Sequence, residues 1–390
     1  MSQHLNADIV VIGAGLVGLA AAIAFAQQGK KIVLLDSKKP AIKLKKTWDE
    51  RVYALTPATE QWLDGIGVWA HVDASRVNPI NAMHIFENGN EQPLSLRDED
   101  AHLAKLGLII ENQNLMHALI AQLHAKGVTI ITDAHCVSLH NTPQAAIVSL
   151  ANGLAITAKL VVAADGVDSW VRSQASIGVT KKDFNQIAIV ANFKAKNCHQ
   201  NIARQWFGVH DTLALLPLPN QHVSMVWSVS TEKANQLLTL TERDLAQKVL
   251  VESNGALGDL THVGKTQFFT LQQQSARHLI AERVVLMGDA AHQIHPMAGQ
   301  GVNLGFRDVM QMAILTTNCH VMQDIGANTV LHQYERARAA DIATMNTLTT
   351  GLDYLFATEN RLLKKLTQWG FSQINQQTSI KKLLIQQAAA

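Results

Sequence analysis

The feature that most restricts this chain lies near its start, where Ile9-Val-Val-Ile12 runs directly into Gly13-Ala-Gly15-Leu-Val-Gly18. Four consecutive apolar, β-branched residues suit a central parallel strand covered on both faces. Residues 16–28 are alanine-rich and apolar, and Gly29 suits a left-handed helix stop. Residues 31–36 then supply a second strand, closing a βαβ unit of about thirty residues. Residues 9–26 carry no charge, so hydropathy alone would read a membrane span there. Glycines at phosphate-loop spacing, a polar leader with no basic n-region and the lack of a signal-peptidase site argue instead for strand, turn and buried helix.

Side chains at Gly13, Gly15 and Gly18 would keep a pyrophosphate from the helix N-terminus, where free amides and the helix dipole favour an anion. Ala22 permits close packing, and Asp36 ends the next strand, placed to accept hydrogen bonds from a ribose hydroxyl. This unit does not separate NAD from FAD. A later stretch does: Leu286-Met-Gly-Asp289-Ala-Ala-His292 ends the buried strand 283–287, with Asp289 positioned for the ribityl hydroxyls that FAD has and NAD lacks. Pro296-Met-Ala-Gly299-Gln300-Gly301-Val302-Asn303 then opens a helix whose amides face phosphate or the flavin ring. A third stretch, Ala164-Asp165-Gly166-Val-Asp-Ser169-Trp-Val171-Arg172, is another strand end turning into a helix, and on a purely structural reading Asp165 is its N-cap.

The 390 residues suffice for two globular units and a tail. Residues 47–72 read as a charged loop and a helix, 76–106 as a polar, irregular excursion, 111–125 as a helix, and 128–132 and 160–164 as strands. From 184 to 229 the pattern alternates, with strands at 186–194, 203–207, 213–217 and 222–228 in a separate antiparallel sheet. Thr241 to Asp244 is a helix cap, and the chain after Gln300 is mainly helical. The fold class is therefore α/β, a Rossmann-like dinucleotide domain (1–75, 107–180 and 275–345) with an inserted antiparallel-sheet substrate domain (76–106 and 181–274) and a helical C-terminus (346–390). A net charge of +2 lacks the basic footprint that nucleic acid requires. Cys136, Cys198 and Cys319 are too scattered for a disulfide framework or a zinc site, and a reducing cytoplasm fits them.

Taken together, the glycine-rich start, the Asp-Gly-x-x-Ser-x-Val-Arg segment and the Gly-Asp-Ala-Ala-His…Pro…Gly-Gln-Gly-x-Asn segment resemble the aromatic-ring flavoprotein monooxygenases of the para-hydroxybenzoate hydroxylase type. Trp48-Asp-Glu-Arg51-Val-Tyr-Ala-Leu55, Ile110-Glu-Asn112, Ala214-Leu-Leu-Pro-Leu218, Asn303-Leu-Gly-Phe-Arg307-Asp308 and Tyr334-Glu-Arg-Ala-Arg338-Ala-Ala-Asp341 resemble the ubiquinone-biosynthesis hydroxylases within that group. The resemblance implies FAD contacts at Asp36, Arg51, Asp289 and from Gly299 to Asn303, with Asp165 shaping flavin and nicotinamide access. A guanidinium such as Arg51 is a natural bidentate partner for a pyrophosphate.

The resemblance further implies that NAD(P)H binds transiently as reductant, since the chain has a single dinucleotide fingerprint. O2 and a flavin C4a-hydroperoxide then hydroxylate a polyprenylated phenol, most of the chemistry belonging to the cofactor. The chemistry is flavin-based and no catalytic side chain is assigned; the candidates are Pro296 against the flavin ring and His295 as a base. A structural, hydrogen-bonded role is the better reading for both His292 and His295. Phe207, Leu215, Pro217 and Trp227 are expected to line the substrate pocket, although alternation alone does not tell the lining face from the outer one.

After Glu359 no acidic residue occurs, while Arg361, Lys364, Lys365, Lys381 and Lys382 are interspersed with Leu362, Leu363, Leu366, Trp369, Phe371, Leu383 and Leu384. That pattern suits an interfacial helix on the inner face of a membrane, and equally a helix packed on the core or against a partner in a quinone-biosynthesis complex. Three other readings stay open: a related flavoprotein acting on another phenol or isoprenoid, a flavin-binding assembly subunit, and a nicotinamide dehydrogenase.

Overall fold

The computed structural model describes residues 4–40, 44–87, 92–209, 211–294, 300–319, 323–357, 370–371 and 373–389. A six-stranded sheet runs in the order Ile280–Ala281, Val284–Leu286, Leu160–Ala163, Ile9–Ile12, Ile32–Leu35 and Thr129–Ile131. All its pairings are parallel except that of the short strand Ile280–Ala281. Every residue of Ile9–Ile12, Ile32–Leu35 and Leu160–Ala163 is buried, as continuous apolar runs require when both faces are covered. The helix Leu16–Gln27 follows the first strand, and its alanines let it lie close to the sheet. The uncharged run that opens the chain is thus a strand and a buried helix. Among the described residues, no helix is long and apolar enough to cross a membrane.

A second sheet has eight strands, in the order His292–Gln293, Leu260–Ala276, Val179–Ala195, His222–Ser230, Thr212–Leu218, Ile202–Phe207, Ala82–Glu87 and Leu94–Arg97. Only Ala82–Glu87 and Ile202–Phe207 pair in parallel. The helices Thr231–Leu238 and Glu242–Glu252 cover one face, with Ala234, Leu237, Leu245 and Val249 packed on Leu215, Met225 and Trp227. Thr241 caps the second helix by accepting the Asp244 amide, as its Thr-x-x-Asp spacing predicts.

Residues 76–106 are not the irregular excursion expected. They form three strands: Val77–Ile80 joins a small sheet with Gly107–Glu111 and Val52–Leu55, and the other two extend the eight-stranded sheet. A further four-stranded sheet, in the order His4–Asn6, Ala155–Ala158, Ala146–Leu150 and Cys136–Asn141, had no counterpart in the sequence reading, nor had the long strand Leu260–Ala276. That strand is rich in polar, half-exposed residues, and its conformation comes from pairing with Val179–Ala195 along most of its length.

Candidate active site

Register brings the separated segments together. Ile12, Leu35, Ala163 and Leu286 are aligned partners across the parallel sheet, so Gly13, Asp36, Ala164-Asp165 and Gly288-Asp289 all emerge at one edge. The crevice outside the carboxyl ends of such strands is where open α/β sheets bind ligands. Gly13 N–H donates to Leu35 O (2.8 Å), Ala164 N–H to Ile12 O (2.8 Å) and Met287 N–H to Ala163 O (2.9 Å), fixing the exits relative to one another.

The three glycines of the first loop do different work. A Cβ on Gly13, whose φ is +104°, would stand 2.2 Å from Ala164 O, and one on Gly18 would stand 1.8 Å from Gly13 O. Gly13 permits the loop to touch the neighbouring strand exit, and Gly18 permits the first helix to start against the loop itself. A Cβ on Gly15 would meet nothing within 4 Å. Gly15 is the N-cap of the first helix, which has no side-chain cap and no acidic residue in its first turn. Its leading amides therefore have no side-chain cap and the space beside Gly15 is open, an arrangement suited to an anion.

Asp36 lies beside this loop, accepting the Ala14 amide at 2.6 Å and the Lys38 amide at 2.7 Å. Asp165 is not the N-cap of the helix Trp170–Gln174: Ser169 caps it by accepting the Arg172 amide. Asp165 instead accepts from the Ser169 hydroxyl (2.5 Å) and the Val171 amide, which rigidifies the turn through Gly166. Gly166 has φ +82° and open space where a Cβ would be. Burial raises the Asp165 carboxyl above its usual range, against those hydrogen bonds. Arg172 is buried and ties two segments together, donating to Ala290 O (2.8 Å) and Val167 O (2.7 Å).

Asp289 sits on a cleft surface. Enclosure by protein raises its carboxyl, opposed by His292 and Arg51. The turn that presents it is held from behind by Asp308, fully buried, which accepts the Gly288 amide (2.8 Å), His292 Nε2 (2.6 Å) and Arg338 Nε (2.7 Å). Burial alone would raise Asp308, but His292, Arg338 and that amide hold it below the ordinary carboxylate range. Asp341 braces both Arg338 and Arg307, and Tyr334 donates to Leu286 O (2.8 Å). His292 is thus a positioning residue, as its structural reading anticipated. The helix Gly301–Asn318 passes close by, where a Cβ on Gly305 would stand 2.7 Å from Val17.

Gln300 is the N-cap of that helix without a side-chain cap bond, so the Gly301 and Val302 amides at its start also lack an internal partner. The Asn303 side chain is differently engaged: it donates to Ala54 O (2.8 Å) and accepts the Thr56 amide (3.2 Å), pinning helix to strand instead of facing the cleft. His295, Pro296 and Gly299 lie outside the described residues.

Arg51 is exposed, with its guanidinium 5.0 Å from the Phe269 ring centroid. Burial raises the Tyr53 phenol, opposed by Arg51 and reinforced by Asp289. The loop carrying Arg51 is anchored by Glu111, which accepts the Asp49 amide at 2.5 Å and pairs with Arg76 at 2.6 Å. Asn192 donates to Asp49 O and Gln267 to Glu50, joining this loop to the large sheet.

Those contacts identify the sheet face that looks at the strand ends. Ala188 pairs with Phe269, which meets Arg51, and Asn192 reaches Asp49, so Val190 between them points the same way. Its cross-strand row continues through Val226, Ala214 and Gln205, the last three half-buried. Leu215, Pro217 and Trp227 have the opposite parity and do not line this face; Leu215 and Trp227 are 1% exposed beneath the two covering helices. Phe207 is on the cleft side, packed with Leu94 and Phe371. Sequence reasoning missed Ala214, Val226, Gln205, Tyr53 and Phe269. Alternation in 212–218 and 222–230 offered two faces and no means of choosing.

The residues fit FAD: uncapped helix amides over a clear Gly15 for a pyrophosphate, Asp36 for a ribose, and Asp289 for a polyol. Fold and site define an FAD-binding flavoprotein whose candidate cofactor residues gather at one sheet's strand ends. The sequence profile of the family described as "FAD binding domain" matches residues 6–349. The chain belongs to that family of flavoprotein monooxygenases. It is 30% identical over 384 residues to the ubiquinone hydroxylase UbiL of Rhodospirillum rubrum, covering 98% of this chain and 89% of that protein. It is 31% identical over 353 residues to the 3-demethoxyubiquinol 3-hydroxylase of Escherichia coli, covering 90% and 89%. In fold it is similar to p-nitrophenol 4-monooxygenase PnpA of Pseudomonas putida (TM-score 0.79, 17% identity, 99% of this chain and 98% of that one). It is equally similar to PqsL of P. aeruginosa (TM-score 0.79, 19% identity, 92% and 99%).

Proposed function

We propose that this protein hydroxylates the aromatic ring of a polyprenylated phenol in ubiquinone biosynthesis, with FAD as cofactor, O2 as oxidant and NAD(P)H as transient reductant. The observation that carries the reading is a pair of surfaces linked through the loop that bears Arg51. The Gly15 amides and Asp289 form one, and the small, apolar row Val190, Val226 and Ala214 forms the other. Full-length similarity to two ubiquinone-pathway hydroxylases supports the choice of substrate class.

FAD supplies the activation of dioxygen, which no amino-acid side chain provides. The chain's own residues bind, orient and exclude water. The first helix and Asp36 hold the nucleotide end, and Asp289, braced by Asp308, holds the polyol. The apolar row presses a phenol ring toward the strand ends and keeps water away from it, with Gln205 as the polar member of the row. The isoprenoid tail keeps such a substrate in a bilayer, so the protein works at a membrane surface. In cells lacking the protein, quinone-intermediate profiling should reveal an accumulated ring precursor one hydroxyl short. Restored quinone on re-expression, and none with a variant unable to hold FAD, is the expected result; unchanged profiles would refute the proposal.

A further inference from the structure

The helix Thr378–Ala389 is anchored along one side. Lys381 Nζ meets both Asp100 oxygens at 3.0 Å, in a pair whose side chains are 12% and 15% exposed, and Ile385 is buried. Just before it, Asn375 donates to Pro93 O (2.9 Å) and accepts the Ser95 amide (3.0 Å) at the edge strand of the large sheet. Phe371 and Ile374 pack with Leu94, Leu96, Ile85 and Phe207. This segment therefore adjoins the cleft-facing side of the sheet, since Phe207 belongs to that side.

The other side of the helix is open. Ile380, Leu383 and Leu384 are 37%, 58% and 39% exposed, and at helical spacing they share an arc of about 100°. Lys382 is exposed on the flank. Charge selects what would cover this stripe. Residues 360–390 contain five basic residues and no acidic one in a chain of net charge only +2, so the remainder of the molecule is net acidic. An exposed apolar stripe with Lys382 beside it, in a stretch of sequence that carries no acidic residue, matches an anionic lipid surface.

We infer that the outward side of the helix Thr378–Ala389 is a membrane-docking surface for anionic bilayers, placing the cleft-side cluster around Phe207 and Phe371 next to the lipid. The inference rests on the proposed lipid-borne substrate and names the surface that meets it. Docking seats Ile380, Leu383 and Leu384 at the acyl boundary, with Lys382 among the headgroups.

The test is co-sedimentation of the FAD-loaded, full-length protein with vesicles of phosphatidylcholine alone or mixed with phosphatidylglycerol. Wild type should bind the anionic vesicles in a salt-sensitive manner. The double variant Leu383→Glu/Leu384→Glu should bind about tenfold more weakly or less, and Lys382→Glu about fivefold more weakly. Both should keep their FAD and their turnover of detergent-solubilised polyprenylphenol, because these side chains touch neither site. Should the double variant fail to fold, wild-type hydrogen exchange decides: vesicles should protect residues 378–389, and unchanged exchange overturns the inference. Undiminished vesicle binding by the variants also overturns it. So does a wild-type dimer that the substitutions split, which would assign the stripe to a second copy. Vesicle binding without ring hydroxylation would instead count against the enzymatic reading, and hydroxylation in detergent without vesicle binding against the docking surface alone.

Discussion

Gly15 caps the first helix and Gly18 lies in its first turn, yet their substitution should have opposite consequences. Gly15 has φ −75° and ψ −178°, extended backbone that any residue adopts, and a Cβ there meets nothing within 4 Å. Gly15→Val should therefore leave the apoprotein folded, at a cost of about 1 kcal/mol for a poorer N-cap. Its side chain would project over the helix amides. Losing two charge-assisted hydrogen bonds to a pyrophosphate removes about 3–6 kcal/mol, or about 10²- to 10⁴-fold in FAD affinity. Gly18→Ala puts a methyl 1.8 Å from Gly13 O and 3.2 Å from the Ala164 Cβ. A backbone oxygen cannot rotate away, so the start of the helix must shift off the Gly13 turn, at a cost of about 3 kcal/mol or more. Urea unfolding of apoprotein and titration of FAD by fluorescence quenching measure the two quantities. Wild-type FAD affinity in Gly15→Val, or wild-type stability in Gly18→Ala, would refute the reasoning.

Asp308→Ala strands Arg338 and His292 in the interior and should destabilise the protein by about 3–5 kcal/mol in urea unfolding; a loss below about 1 kcal/mol would deny the hub its role. Asp308 titrates below its unfolded value, so its stabilisation is present above about pH 4 and is lost as pH falls through the lower folded pKa. Melting temperature against pH should show this acid limb in wild type and a weakened one in Asp308→Asn; parallel curves would contradict the assignment. Trp227→Ala should cost about 3–5 kcal/mol of stability with KM unchanged, while Ala214→Trp should raise KM with little loss of stability. The reverse pattern in steady-state kinetics and thermal melts would return Trp227 to the substrate face.

The dinucleotide unit was legible because its signals are local: four apolar residues, glycines at three positions and an acid at the next strand's end. The strand end at Gly288-Asp289 was readable for the same reason. Asn303 was read as a cofactor contact through resemblance, but its partners are Ala54 on a strand and Thr56 just after it, nearly 250 positions away in sequence. Asp308, Tyr334 and Arg338 stood out only through resemblance, and their work on the Gly288 turn emerges from tertiary contact. The substrate face failed for a physical reason: a period of two divides a strand into two sets, and only the covering helices decide which set is core. Phe207, of one parity, and Leu215 and Trp227, of the other, could not all share a face, but that conflict appears only once Phe207 is paired with Thr212. Leu260–Ala276 was hidden because its partner strand, not its own polar sequence, makes it a strand.

The most direct measurement follows the oxygen atom. FAD-loaded protein, NAD(P)H and a polyprenylated phenol are incubated under dioxygen labelled with the heavy isotope, and the product is weighed by mass spectrometry. One labelled atom in a new ring hydroxyl is the outcome expected of a cradle that serves oxygenation. An unmodified phenol, or a hydroxyl whose oxygen comes from water, would contradict it.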